Sequence, residues 1–180
     1  MKKYGIPMAL SIAVVMASCS APKTYFNAQI RARVEKNGVP LTKLQYYIDQ
    51  DVELRRELVQ GETKVSSGKV KFIDGKYLNI IVLKKNTPGV CTSSYPDKMQ
   101  ISFEMGDGKN LTFGKTRNAN QTDPYKILAN NWVNDFGMIS YEGKQYYIAA
   151  GGNASILINS SALKTQEVTK REMKGRTVGN

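Results

Sequence analysis

The sequence predicts an all-β, mainly antiparallel fold: a small sandwich or partly open barrel built from successive hairpins. Three observations predict it. Short runs rich in Val, Ile, Tyr and Phe alternate with polar residues, the period of half-buried strands. Gly-rich turns, Asp74-Gly75, Gly106-Asp107-Gly108 and Glu142-Gly143, separate those runs and supply the positive φ that tight hairpins need. The runs number about six to nine at close spacing, as in sandwiches and small barrels.

In chain order, Ser20-Ala21-Pro22-Lys23 reads as a spacer. Phe26, Ala28, Ile30, Ala32 and Val34 then alternate with other residues as a strand would, with a short helix as the other option. Thr42 to Gln60 fits both helical and strand spacing; Tyr46-Tyr47-Ile48 favours two linked strands broken at Asp49-Gln50-Asp51. Val70–Ile73 and Tyr77–Leu83 flank Asp74-Gly75 as one hairpin, and Asn86-Thr87-Pro88-Gly89 ends it. A second hairpin spans Gln100–Met105 and Asn110–Phe113, with Ile101, Phe103 and Met105 facing Leu111 and Phe113. Asp123-Pro124 suits the start of a short helix through Tyr125, Ile127 and Leu128. A third hairpin joins Gly137–Tyr141 to Gln145–Ala149, and Ser155–Ile158 forms a further strand. Thr165–Asn180 reads as a charged edge strand with a frayed tail.

The first residues are of another kind. Lys2 and Lys3 precede a mostly apolar stretch, Ile6 to Val15, and small residues follow. That is the plan of a secretory leader, too short for a membrane span of roughly 20 apolar residues. The next residues, Met16-Ala17-Ser18-Cys19, resemble the lipobox of bacterial lipoproteins, although Leu is commoner than Met at its first position. The resemblance implies that residues 1–18 are a signal peptide and that Cys19 carries a thioether-linked diacylglycerol and an acylated amine. Residues 19–40 would be a lipidated tether and lead-in segment, and 41–180 a single β-rich domain. One myristoyl chain binds a bilayer only marginally, so three acyl chains would anchor the protein stably. By the same resemblance, Ser20 in place of the Asp that retains enteric lipoproteins at the inner membrane points to the outer membrane, and the lack of the acidic run that some surface-exposed lipoproteins carry favours the periplasmic face over the cell surface.

With Cys19 lipidated, Cys91 is the one remaining thiol and an internal disulfide is impossible. Cys91 reads as a small buried hydrophobe near a strand end. The net charge of +11 falls to +9 once Lys2 and Lys3 leave with the leader. Basic residues are scattered and no RNA-recognition signature is present, so the charge reads as a solvated surface and nucleic acid is not an expected partner.

Chemistry is hard to find. The chain contains no His and two Cys, which excludes histidine-based catalysis and Cys/His zinc sites within it. Asp49 and Asp51 read as turn residues rather than a glycosidase pair or a calcium loop. Ser66-Ser67-Gly68 and Ser160-Ser161 lack the nucleophile elbow, and Gly151-Gly152-Asn153 precedes a strand rather than the helix of a phosphate loop. No cofactor motif appears. The candidate ligand-binding side chains are Tyr46, Tyr47, Tyr146, Tyr147 and Trp132. Each tyrosine pair sends one ring to each side of a sheet, and the outward rings are suited to stack on sugar or grip a peptide.

Leu44-Gln45-Tyr46-Tyr47-Ile48, Thr87-Pro88-Gly89-Val90, Ile101-Ser102-Phe103-Glu104 and Lys174-Gly175-Arg176 together resemble a group of small exported β-rich bacterial proteins without an assigned function. The resulting expectation is a non-catalytic, membrane-anchored envelope lipoprotein serving as accessory, scaffold or binding module for an envelope protein or glycan. A module binding glycans or anionic envelope ligands and a hydrolase of unknown type are the alternatives.

Overall fold

Backbone hydrogen bonding organises the chain into two antiparallel sheets; the computed structural model describes residues 22–59, 62, 68–133 and 136–164. The elements are β1 (Lys23–Tyr25), α1 (Ala28–Lys36), a 3-10 turn (Leu41–Lys43), β2 (Gln45–Ile48), β3 (Val52–Glu57), β4 (Lys69–Ile73) and β5 (Lys76–Leu83). They continue with β6 (Pro88–Ser94), β7 (Lys98–Ser102), β8 (Asn110–Gly114), β9 (Lys126–Ile127) and β10 (Asn131–Val133). β11 (Phe136–Tyr141), β12 (Lys144–Ala150), β13 (Ile156–Asn159) and α2 (Ser161–Lys164) complete the series. The seven-stranded sheet runs β1-β13-β2-β6-β7-β8-β9 and the six-stranded sheet β10-β11-β12-β3-β5-β4. A bridge between Lys126 and Ser155 curls the larger sheet, which does not close into a barrel. The architecture is sandwich-like, with Tyr46, Ile101 and Ile156 of one sheet in the same core as Leu54, Ile139 and Tyr146 of the other.

The hairpins follow their turn residues. Asp74 (φ 49) with Gly75 (φ 78) and Glu142 (φ 52) with Gly143 (φ 71) hold positive φ, as tight two-residue turns demand. Tyr77 pairs with Phe72 across the first, and Lys144 with Tyr141 across the second. The two linked strands expected within Thr42–Gln60 are β2 and β3, and their break at Asp49–Asp51 carries the chain from one sheet to the other.

Four local expectations are corrected. The stretch from Ala28 is helical, not a strand: Asn27 accepts from the Ile30 amide at 2.8 Å, and Arg31 pairs with Glu35 one turn on at 2.9 Å. The buried side chains are Arg31 and Val34, three residues apart, so helical period overrides the alternation. Phe26 is fully buried and β1 pairs with β13, so this lead-in segment belongs to the packed body.

Asp123-Pro124 starts no helix. Asp123 caps a turn by accepting from the Asn120 amide, and the Tyr125 and Ile127 amides donate to the Phe26 and Ala154 carbonyls at 2.9 and 2.8 Å. Sheet pairing thereby satisfies backbone groups that a helix would have used.

The second hairpin is shorter than expected. β7 ends at Ser102 opposite Asn110, so Ile101 faces Leu111, Met99 faces Phe113, and Met105 lies in the connection, 96% exposed. Pro88-Gly89 begins a strand rather than only ending one, which places Cys91 within β6; proline is tolerated there because it is the first strand residue. The edge strand and tail expected at Thr165–Asn180 lie outside the described residues.

Candidate functional site

Each tyrosine pair divides as the strand period requires, but the rings do not assemble into one platform. Tyr46 is fully buried, its hydroxyl donating to the Leu41 carbonyl at 3.0 Å. Tyr146 is buried with its hydroxyl accepting from Asn79 Nδ2 at 3.0 Å. Tyr47 faces outward, yet Lys23 Nζ lies 3.9 Å from its ring centre and Asn159 Nδ2 donates to its hydroxyl at 3.4 Å. Tyr147 stands opposite Arg55 on the other sheet and meets the Phe136 ring edge-on at 5.5 Å. Trp132, 53% exposed, sits on the edge strand β10 opposite Gly137. Tyr47 and Tyr147 therefore occupy outer faces of different sheets, and the stacking surface expected of them is not formed jointly.

Cys91 is 4% exposed and its thiol contacts the Ser93 carbonyl at 3.4 Å; burial pushes its pKa up, away from the reactive thiolate. Asp49 accepts from the Ser155 amide at 2.8 Å, while Asp51 accepts from the Lys85 amide at 2.7 Å and pairs with Lys84 at 2.8 Å. Those bonds hold the turns around the sheet switch, in line with the turn reading. Cys19 lies outside the described residues. No three acidic or cysteine side chains converge as a metal site among the described residues.

What sequence reasoning missed is a cleft between the sheets. A cavity of about 190 Å³ is walled by Leu54, Ile81, Leu83, Phe103 and Leu111, with Lys84, Thr87, Glu104 and Tyr141 at its rim. Phe103 lines it, and its ring lies against β6 at a glycine: a Cβ on Gly89 would stand 2.7 Å from that ring. The Tyr141 hydroxyl donates to Glu104 Oε1, and Lys109 Nζ approaches the same carboxylate at 3.3 Å. Burial, then the neighbouring Glu104 carboxylate, raises the Tyr141 pKa far above the usual phenol value, so it stays a neutral donor.

A second recess of about 510 Å³ adjoins the first, sharing Ile81, Val82, Lys84 and Glu104 and adding Glu53, Lys69 and Lys71. It lies beside the Lys69 end of β4, which is registered with Ile80 of β5. Strand periodicity could have flagged the apolar walls, but not that Phe103 and Leu111 of one sheet line the same space as Leu54 and Ile81 of the other. Compared with known protein families, curated proteins and solved structures, the chain matches none.

Proposed function

We propose that this chain is a lipid-anchored envelope lipoprotein, fixed to the outer membrane through Cys19, whose β-sandwich acts as a non-catalytic accessory or binding module on the periplasmic side. The observation that carries the reading is Met16-Ala17-Ser18-Cys19 directly after a lysine-led apolar leader. Lys23, the first strand residue, lies four positions beyond Cys19. At ~3.5 Å per extended residue that tether reaches about 14 Å, so the folded body would rest close to the bilayer. The binding half of the reading draws on the cleft, whose walls are largely apolar; among its polar lining groups Tyr141 donates to Glu104 and Lys84 pairs with Asp51.

Membrane fractionation tests it. The native protein is expected in the outer-membrane pellet and to resist extraction by salt and alkali. A Cys19→Ser variant is expected to keep its leader and lose acylation. Recovery of the unaltered chain entirely in the soluble fraction would refute the anchor.

A further inference from the structure

We propose that the outer face of the seven-stranded sheet binds a neutral oligosaccharide laid across its strands. The proposal rests on the binding-module reading and names its ligand class, with the ligand on this face rather than in the cleft.

The face follows from register. Tyr25, Leu157, Tyr47 and Pro88 are successive cross-strand partners in one row. Gln45, Val90, Ser102 and Asn110 form the next. The residues between them on the same strands, Tyr46, Ile101 and Leu111, are buried in the core, so both rows point outward. Three strand spacings of ~4.8 Å make each row ~14 Å long. A recess of about 470 Å³ lies where the rows meet the β7–β8 connection, lined by Gln45, Pro88, Val90, Thr92, Ser102 and Met105 among others.

The ligand's neutrality follows from what the rows carry. Charged residues make up 23% of the chain, yet neither row contains one. The charges nearby are engaged: Lys23 with the Tyr47 ring and Asn86 Oδ1, and Glu104, at the recess, with Tyr141 and Lys109. An ionic ligand would lose hydration here without meeting a counter-charge in either row.

The polar groups are of both kinds and already held in place. Ser102 Oγ donates to the Glu104 carbonyl at 2.6 Å and Thr92 Oγ1 to Asn110 Oδ1 at 2.9 Å, so each hydroxyl has lone pairs to accept with. Asn110, accepting through its oxygen, has its amide nitrogen to donate with. Gln45 Nε2 donates to the Gly89 carbonyl at 2.8 Å, which leaves its amide oxygen as an acceptor. Sugar hydroxyls both donate and accept, and side chains fixed in this way lose little entropy on binding. Exposed Pro88, Val90 and Met105 supply apolar surface for the C–H face of a pyranose ring, and exposed Tyr25 a platform for another. A protein partner would call for Arg and aromatic anchors at the centre of the patch, where this face has Gln45, Val90 and Ser102.

Saturation-transfer NMR on the full-length chain in phosphatidylcholine nanodiscs tests the proposal, with cellohexaose, maltohexaose, xylohexaose and chitohexaose as probes. At least one is expected to receive saturation on its ring C–H protons, with an affinity that changes less than about twofold between about 0.05 and 0.5 M NaCl. Val90→Lys, at an exposed position, is expected to weaken that binding about tenfold, or about 1.4 kcal/mol. The double variant Gln45→Ala, Ser102→Ala is expected to act in the same direction, and Lys71→Ala on the other sheet to change nothing. Absence of transfer to all four sugars, binding unaffected by both face variants, or tighter binding of the anionic hexagalacturonate would each overturn the proposal. The Cys19→Ser chain is run in parallel. Lost acylation with unchanged sugar binding separates the anchor from the face, and an acylated native chain that binds none of the sugars removes this proposal alone.

Discussion

Asn79 and Tyr146 form a buried polar pair within the six-stranded sheet, 1% exposed each and joined by one hydrogen bond at 3.0 Å. Tyr146→Phe keeps the ring and removes the acceptor, leaving Asn79 Nδ2 buried without it. An unsatisfied buried donor costs about 1–3 kcal/mol, so the variant is expected to unfold at lower urea with an unchanged slope, measured by equilibrium denaturation. An unchanged midpoint would mean that water reaches the amide. At this scale the sequence was partly legible. Adjacent tyrosines in a strand must split between faces, and they do. That Tyr47 would be covered by Lys23, from a segment expected to be tether, depends on β1 pairing with β13, which brings together residues far apart in sequence.

Elements show where local signals were outweighed. Hairpins were readable because their turns require positive φ and few residues supply it. α1 was obscured because Ala28, Ile30, Ala32 and Val34 alternate as well as a strand would; its Asn27 cap and Arg31–Glu35 pair decide the outcome. β6 was hidden behind Pro88-Gly89, residues that usually end strands. Here Gly89 allows Phe103 to lie across the strand, and Gly89→Ala is expected to destabilise the fold by about 1–3 kcal/mol through that overlap. Thermal unfolding checks this, and a Gly89→Ala, Phe103→Leu double variant should recover part of the loss.

A second element-scale test concerns Glu62, which joins β3 to β12. Both Arg56 guanidinium nitrogens reach its carboxylate at 2.8 Å, and Lys144 Nζ does so at 2.8 Å. Hydrogen bonds from Arg56, then Lys144, lower its pKa from 4.5 to about 2. A carboxylate with a depressed folded-state pKa stabilises the fold above its unfolded value and loses that contribution as pH falls toward the folded one. The urea midpoint of the native chain is therefore expected to fall, relative to Glu62→Gln, between about pH 4.5 and pH 2. Parallel pH profiles for the two proteins would contradict the pairing.

For the whole molecule, the all-β class was legible because period-2 patterning is spread along the chain, so a few misread segments do not change the answer; the choice between sandwich and open barrel was not, because it depends on how the sheet edges meet. The cleft was not legible, since it depends on which residues of the two sheets come to face one another. The surface tyrosines drew attention in the sequence; the structure gives their rings partners within the protein and leaves the open apolar space elsewhere. The proposed address and the observed architecture thus rest on separate parts of the chain: the leader-like first residues for the proposal and distributed strand patterning for the fold.

The central claim is the covalent anchor, and intact mass measurement of the protein extracted from membranes tests it most directly. The expected product is a chain beginning at Cys19 and heavier than its amino-acid mass by a diacylglycerol and an amide-linked acyl group. A mass equal to that of the bare polypeptide, with a free thiol at Cys19, would contradict it.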